Sequence, residues 1–458
     1  MTSQVNAGAR LDRLPSSAFH RRILWLIGLG IFFDSFDISL QSGVLGALVQ
    51  SGWSNLNLNA LFISATFGGM ALGAVMAGFV GDRFGRRFAY QFNLLIFGGA
   101  SLCAAAAPSM EWLIAARLVI GIGLGAEIVV GYSFATEFAP PVARGRAISF
   151  LTTGSMLAQV AAFSLSYLVI PSYGWRWMFV IAGLGALVVW YLRRSLPESP
   201  RWLEANGRFA EAERVLAAIE REVAGGSVLP PPAPSVPVRH EPATLGVLFS
   251  RPVIRRTLLA MLINVAVGVS TFGFAAWLPT FFVKQGFDIG KSLGFAAVMS
   301  VGSLLGPVLC IWLADRIGRK WGIVIACLSA AGFGLIYPQM SSDLAILACG
   351  FMLMASILLL LCLGIGSYSP ELFPTEYRLR GNGLANTVGR IATMLSPYAV
   401  VALFTSYGIA GVVGSLAVLL ALVAAIVALF GIETRRKPLE AIAPDEPVAS
   451  TRVAVPNA

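Results

Sequence analysis

Twelve apolar runs, each close to the length that crosses a hydrocarbon layer, dominate this sequence and leave it few ways to fold. A spanning helix needs about 20 mainly apolar residues, because lipid offers no partners to an unsatisfied backbone. Such runs lie at 23–49, 58–80, 88–107, 112–137, 147–170 and 176–192. After a polar stretch they resume at 257–283, 291–313, 321–338, 344–368, 382–405 and 409–431. The pattern predicts an all-α membrane protein of twelve transmembrane helices, numbered here as spans 1 to 12, in two six-helix bundles. Charged residues make up 12% of the chain and mean hydropathy is +0.77, against about 25% charged in a typical soluble domain. The net charge of +10 comes from short basic clusters between apolar runs, which is a topology signal and not a nucleic-acid stripe.

Those clusters orient the chain. Of the 33 lysines and arginines, 28 fall in the tails and alternate loops on one side, whereas the opposite loops hold Arg176, Lys284 and Lys291. The positive-inside rule therefore puts both termini and the central loop in the cytoplasm. The expected organisation is a tail at 1–22, a bundle at 23–193, a linker at 194–256, a second bundle at 257–432 and a tail at 433–458. No apolar core precedes Ile23, so span 1 is expected to act as the insertion signal without cleavage. Within the linker, residues 200–223 read as an amphipathic surface helix carrying Trp202, Leu203, Phe209, Val215, Leu216 and Ile219. The proline-rich stretch 226–243 reads as a linker. The five cysteines all lie in apolar runs without metal-ligand spacing, and are expected to pack as small residues.

The chain repeats itself. GDRFGRR at 81–87 recurs as ADRIGRK at 314–320, and TEFAPPVARGR at 136–146 recurs within SPELFPTEYRLR at 369–380. Glu137 aligns with Glu371 and Arg144 with Arg378 at the same offset of 234. Two motifs with nearly one offset make each half a copy of the other, related by an axis along the membrane normal. Together with RLVIGIGLG at 117–125, these motifs resemble those of the major facilitator superfamily over residues 23–432. The resemblance implies its fold and transport by alternating access. Asp82, Arg86, Glu137 and Arg144, with Asp315, Arg319, Glu371 and Arg378, are then expected to form a cytoplasmic latch between the halves. Positive charge retained for topology alone is the simpler alternative.

Charges inside the spans need a reason, since one at the bilayer centre costs at least ~2.5–3.5 kcal/mol. Asp34 and Asp37 lie in span 1 at a spacing that puts both on one helix face. Two close carboxylates are candidates for proton coupling, or for a helix-packing pair. Span 4 carries Arg117 and Glu127, ten residues or ~15 Å apart along the axis, so each needs a partner elsewhere. Glu127 joins the proton-coupling candidates, while Arg117 suits either substrate binding or a tie to a neighbouring helix. Arg390 and Asn386 lie in span 11, too deep for the arginine to reach the interface easily. The guanidinium suits a carboxylate ligand, or a permanent bond to Glu371 or Tyr368. Phe272 and Trp277 in span 7 could stack on a flat ring, or Trp277 could anchor at the interface.

Finer resemblances narrow the solute. Asp34-Ser-Phe-Asp37 is similar to the D-G-x-D element of proton-coupled aromatic-acid symporters, with Ser35 in place of glycine. LVIPSYGWRWMF at 168–179, PESPRWL at 197–203 and the Gly389-Arg390 pair look like bacterial niacin transporters and their synaptic-vesicle-glycoprotein-like relatives. They imply a bacterial inner-membrane symporter, functional as a monomer, taking up a small aromatic monocarboxylate such as nicotinate with protons and no cofactor or metal. A cavity of spans 1, 4, 7, 10 and 11 would hold the solute, with Arg390, Asn386, Tyr368, Phe272, Trp277 and Arg117 as binding candidates. PESPRWL also occurs in sugar porters, which keeps a sugar or polyol as the alternative, although span 7 lacks their paired glutamines. Benzoate-type acids are a further option. An enzyme is not expected, since His20 and His240 lie in polar flanks and no nucleophile or metal motif is present.

Overall fold

The computed structural model describes residues 5–225, 229–232, 245–251, 253–373 and 378–434, apart from the side chains of Asp82, Val142, Leu245, Ala314, Asp315, Arg378 and Leu379. The latch expectations for Asp82, Asp315 and the Arg378 side chain thus lie outside the described residues, as do most of the proline-rich stretch and the last tail.

Spans 1 to 6 are Ala18–Gln50, Leu56–Phe84, Arg86–Ala105, Met110–Phe138, Arg144–Tyr173 and Arg176–Leu192. Span 7 runs Ile254–Phe274 and continues through a 3-10 turn into Leu278–Lys284. Spans 8 and 9 are Ile289–Arg316 and Arg319–Ile336. Span 10 begins as Asp343–Leu361 and passes into a π-helical turn at Cys362–Tyr368, a local underwinding often found at functional sites. Spans 11 and 12 form one helical run, Arg378–Phe430, divided at Gly408 where φ is +63°. Only glycine takes that conformation without strain, and it lets the chain fold back as the break near 406–408 predicted. Side-chain caps set several starts, with Asn55 accepting from the Leu58 amide at 2.9 Å and Asp288 from the Gly290 amide at 2.8 Å.

The repeated motif has a structural meaning at its glycines. Gly85 and Gly318, at the joints of spans 2–3 and 8–9, have φ of +101° and +100°. Each opens the first turn of the next span to an acidic cap from a distant segment. Glu198 accepts the amides of Arg86 and Arg87 at 3.0 and 3.1 Å, and Glu433 accepts the Arg319 amide at 3.0 Å. A carboxylate there meets the unsatisfied amides and positive end of the helix dipole. Burial pushes the Glu198 carboxyl above its usual range, and the amides of Ser199, Arg87 and Arg86 pull it back.

Small residues bring spans 2 and 4 into backbone contact. A Cβ on Gly73 would stand 1.9 Å from the Ile122 carbonyl oxygen, and one on Gly125 would stand 2.0 Å from that of Met70. Close approach of this kind replaces the hydrophobic drive that lipid cannot supply. Gly125→Ala should therefore separate the two helices and destabilise the fold by ~1–3 kcal/mol. The change would be read as a lower melting temperature in detergent, and an unaltered transition would refute the contact.

The two halves meet at the ends away from the basic loops. Ser42 Oγ of span 1 donates to the Ala275 carbonyl at 2.8 Å, and Ser64 Oγ of span 2 donates to that of Met394 at 2.7 Å. Gly46 lies against Pro279, and Gly294 lies against Tyr167. At the basic end, by contrast, the described ion pairs run within one half. Arg86 Nε lies 3.7 Å from Glu137, and Arg319 Nε lies 3.5 Å from Glu371. The latch expected between the halves is thus replaced, among the described residues, by a matching pair inside each half. The cause is geometric, since the halves lean together on the opposite side.

Arg144 departs from the same expectation. It bonds Asp12 of the short N-terminal helix Ala7–Asp12 at 2.7 Å, and Arg201 of the linker bonds the same carboxylate at 2.6 Å. The expected linker helix is two pieces, Pro200–Ala205 and Phe209–Ala224. Arg10 joins the N-terminal helix to Glu220 at 2.7 Å and Arg13 does so at 2.6 Å. Burial raises the Glu220 carboxyl, but the hydrogen bonds of Arg10 and Arg13 outweigh it, so the group titrates below its ordinary 4.5. A depressed carboxylate stabilises above its unfolded pKa and loses that contribution as pH falls through the folded one. Amides of residues 7–13 should accordingly exchange about tenfold faster in Glu220→Gln than in the parent at pH 7, for a loss of ~1–1.5 kcal/mol. That gap should close below pH 4.5. Equal exchange at pH 7 would show that the ion pairs do not hold the helix.

Candidate functional site

A cavity of about 190 Å³ lies between the halves below their contact. Span 1 contributes Ile38 and span 2 contributes Phe67 and Met70, while spans 7, 10 and 11 supply the remaining wall. That wall is largely apolar, interrupted by Asn264, Thr271, Asn386, Thr393 and Arg390. Phe272 meets Phe67 edge to face across the halves with ring centres 4.5 Å apart. Arg390 Nε donates to Asn386 Oδ1 at 2.9 Å, one helical turn away. Among the described residues no carboxylate pairs with Arg390, so its outer nitrogens remain available to a ligand. The π-helical turn of span 10 places Ile365 on the cavity wall.

Three of the expected binding residues lie elsewhere. Tyr368 is buried and its hydroxyl accepts the Ile432 amide at 2.8 Å, which fastens span 10 to the end of span 12. Trp277 is 1% exposed and stacks on Phe281 with centroids 6.2 Å apart, inside the seal between the halves. Arg117 points into the N-terminal bundle. Its guanidinium bonds Asp37 Oδ2 and the Asp37 carbonyl, and Nε donates to Thr66 Oγ1 at 2.9 Å. Span 4 consequently contributes nothing to the cavity, and span 2 takes the place expected of it.

The buried charges of the N-terminal bundle form two centres. In the first, Arg117 and Asp37 are both fully buried and paired, with the Phe62 ring 5.2 Å from the guanidinium. In the second, Glu127 pairs with Arg193. Arg193 also donates to the carbonyls of Leu26 at 2.9 Å and Ile27 at 3.1 Å, and lies 3.8 Å over the Tyr90 ring. Gly30 makes room for it, because a Cβ there would fall 1.7 Å from Nη2. Sequence counting places Arg193 among the loop charges, yet it is 0% exposed. The signal that could have found it is Glu127 itself, which demands a cation that span 4 does not offer.

Comparison with known proteins agrees with this architecture. A family profile described as "Sugar (and other) transporter" matches residues 31–445. The inner membrane metabolite transport protein YdjE of Escherichia coli (strain K12) is 38% identical over 95% of this chain and 98% of its own. The chain belongs to the sugar (and other) transporter family. The niacin transporter NiaP of Acinetobacter baylyi (strain ATCC 33305 / BD413 / ADP1) is 33% identical over 95% of this chain and 99% of its own. Among solved structures, a D-xylose-proton symporter superposes with a TM-score of 0.71 at 20% identity, over 91% of this chain and 99% of that one. That likeness shows the fold, the one shared by the major facilitator superfamily. This transporter is therefore a multi-span membrane protein whose family moves small solutes and is not a family of enzymes.

Proposed function

We propose that the transporter takes up a small aromatic monocarboxylate, with nicotinate the favoured example, together with protons across the bacterial inner membrane. The observation that carries the reading is Arg390, a guanidinium on an apolar and aromatic wall with no carboxylate of its own among the described residues. A planar fork of donors in a low-dielectric cavity suits a carboxylate better than a neutral sugar hydroxyl. Phe272 and Phe67 offer ring faces and edges to a flat solute. Relatives named as niacin and 4-hydroxybenzoate transporters lie within the same family, which supports the same solute class. Asn264, Thr271, Asn386 and Thr393 could instead serve hydroxyls, so a sugar is the alternative to exclude.

The proton is assigned to the buried carboxylates of the N-terminal bundle, Asp34, Asp37 and Glu127. Taking the basic loops as cytoplasmic, the seal lies on the outer side and the cavity faces inward. Protonation of Asp37 would weaken its bond to Arg117, which ties spans 1 and 4 together, and so links proton uptake to helix movement. The test is uptake of labelled nicotinate into proteoliposomes, with and without an inward proton gradient. Benzoate, 4-hydroxybenzoate and glucose serve as competitors. Stimulation by the gradient with competition from the acids is expected. Competition by glucose alone would establish the sugar reading instead.

A further inference from the structure

Among the described residues, three carboxylates but two guanidiniums are buried in the N-terminal bundle. Asp37 is matched to Arg117 and Glu127 to Arg193. Asp34 is left over. It is 0% exposed, and neither of its oxygens has a hydrogen-bond partner. An ionised carboxylate without a partner in such a place would cost several kcal/mol. Asp34 is thus the buried carboxylate of this bundle, among the described residues, that has no cation of its own.

The two aspartates belong to different centres, although they lie one helical turn apart. Arg117 reaches Asp37 from the side of spans 2 and 4, where Thr66 also bonds it. Among the described residues, the charged and titratable groups that face Asp34 are Glu127 and Tyr132 of span 4, Arg193 just after span 6, Tyr90 of span 3, and Asp37 on its own helix. Arg193 fixes the first half of span 1 through the Leu26 and Ile27 carbonyls. A shift of span 1 against span 6 would therefore change which carboxylate, Glu127 or Asp34, lies nearer to that cation. Neither Asp34 nor Glu127 lines the solute cavity.

We infer that Asp34, set against the Glu127–Arg193 pair, is a second proton-carrying site distinct from the Asp37–Arg117 pair, so that two protons accompany each monoanion. One proton is bound at each aspartate from the outer side and both are released to the cytoplasm, leaving the protein unchanged over a cycle. This inference rests on the proposed proton-coupled uptake of an anion. With two protons and one carboxylate, each turnover moves one positive charge inward. Uptake by a single proton would instead be electroneutral.

Proteoliposomes loaded to set a potassium diffusion potential, with no pH gradient, read the difference directly. An inside-negative potential of ~100 mV contributes ~2.3 kcal/mol per charge moved. That corresponds to about 50-fold in steady-state nicotinate accumulation. The parent protein should show this gain, and Asp34→Asn should lose it while keeping its response to a pH gradient. Nicotinate counterflow, which needs no net proton movement, reports whether the variant is folded. Asp34→Ala serves as the second variant should the amide not be accommodated. A parent protein that responds to a pH gradient but not to potential would overturn the second site and leave the uptake reading standing. An Asp34 variant that keeps the full response to potential would overturn it equally. Nicotinate uptake indifferent to both gradients would instead refute the proton-coupled reading beneath it.

Discussion

Arg390→Ala should remove nicotinate uptake almost entirely, lowering kcat/KM by about 30-fold or more. Truncating one partner of a desolvated, hydrogen-bonded charge pair costs ~2–5 kcal/mol, and each 1.4 kcal/mol is about tenfold. The cavity is largely apolar around this residue and, among the described residues, offers the carboxylate no second cation. Arg390→Lys should fall between the two, since it keeps the charge and loses the planar fork that Asn386 holds at 2.9 Å. Initial rates of labelled nicotinate uptake in proteoliposomes, measured against concentration, check both variants. Uptake by Arg390→Ala at the parental rate would remove the carboxylate receptor from the mechanism. Unchanged glucose binding in a variant that lost nicotinate would point to a mixed site.

Arg193→Ala should destabilise the protein by ~3–5 kcal/mol, because it leaves Glu127 as an uncompensated charge in the bundle. The loss extends beyond one ion pair, as Arg193 also satisfies two carbonyls of span 1 and covers the Tyr90 ring. The double change Arg193→Met with Glu127→Leu should recover much of that stability, since apolar groups of similar size remove the unpaired charge as well as the pair. Thermal unfolding of the purified protein in detergent separates these outcomes. A single variant that melts with the parent would show that the pair is not a support. A double variant as unstable as the single would place the loss in the span 1 contacts.

The bundle architecture was legible because each span must satisfy its own backbone and bury apolar side chains, so its record in the sequence is local and long. The duplication was legible for the same reason, as Gly85 and Gly318 mark the same tight joint in each half. Asn386 and Arg390 were readable together because a spacing of four residues makes them neighbours on one helix. Long-range partners were not. The Arg193 guanidinium draws its partners from span 4 and from the start of span 1, at separations of 66 and 167 residues. A charge at the end of an apolar run looks like loop charge until the fold turns it inward. Glu198 and Glu433 escaped in the same way, since a helix cap supplied by a distant segment leaves no spacing rule to follow. Trp277 and Tyr368 show the opposite error, where an aromatic with a polar tip suggested a ligand contact and the fold used it for packing.

The halves descend from one sequence pattern, yet they hold their buried charges differently. The ion pairs Asp37–Arg117 and Glu127–Arg193 both lie in the N-terminal bundle, whereas Arg390 and most of the cavity wall belong to the C-terminal one. On the proposed function, one copy has become the motor and the other the selector. Mutations that retune the solute can then accumulate on one side of the molecule without disturbing its energy source. A family built this way can diversify its cargo while keeping its engine.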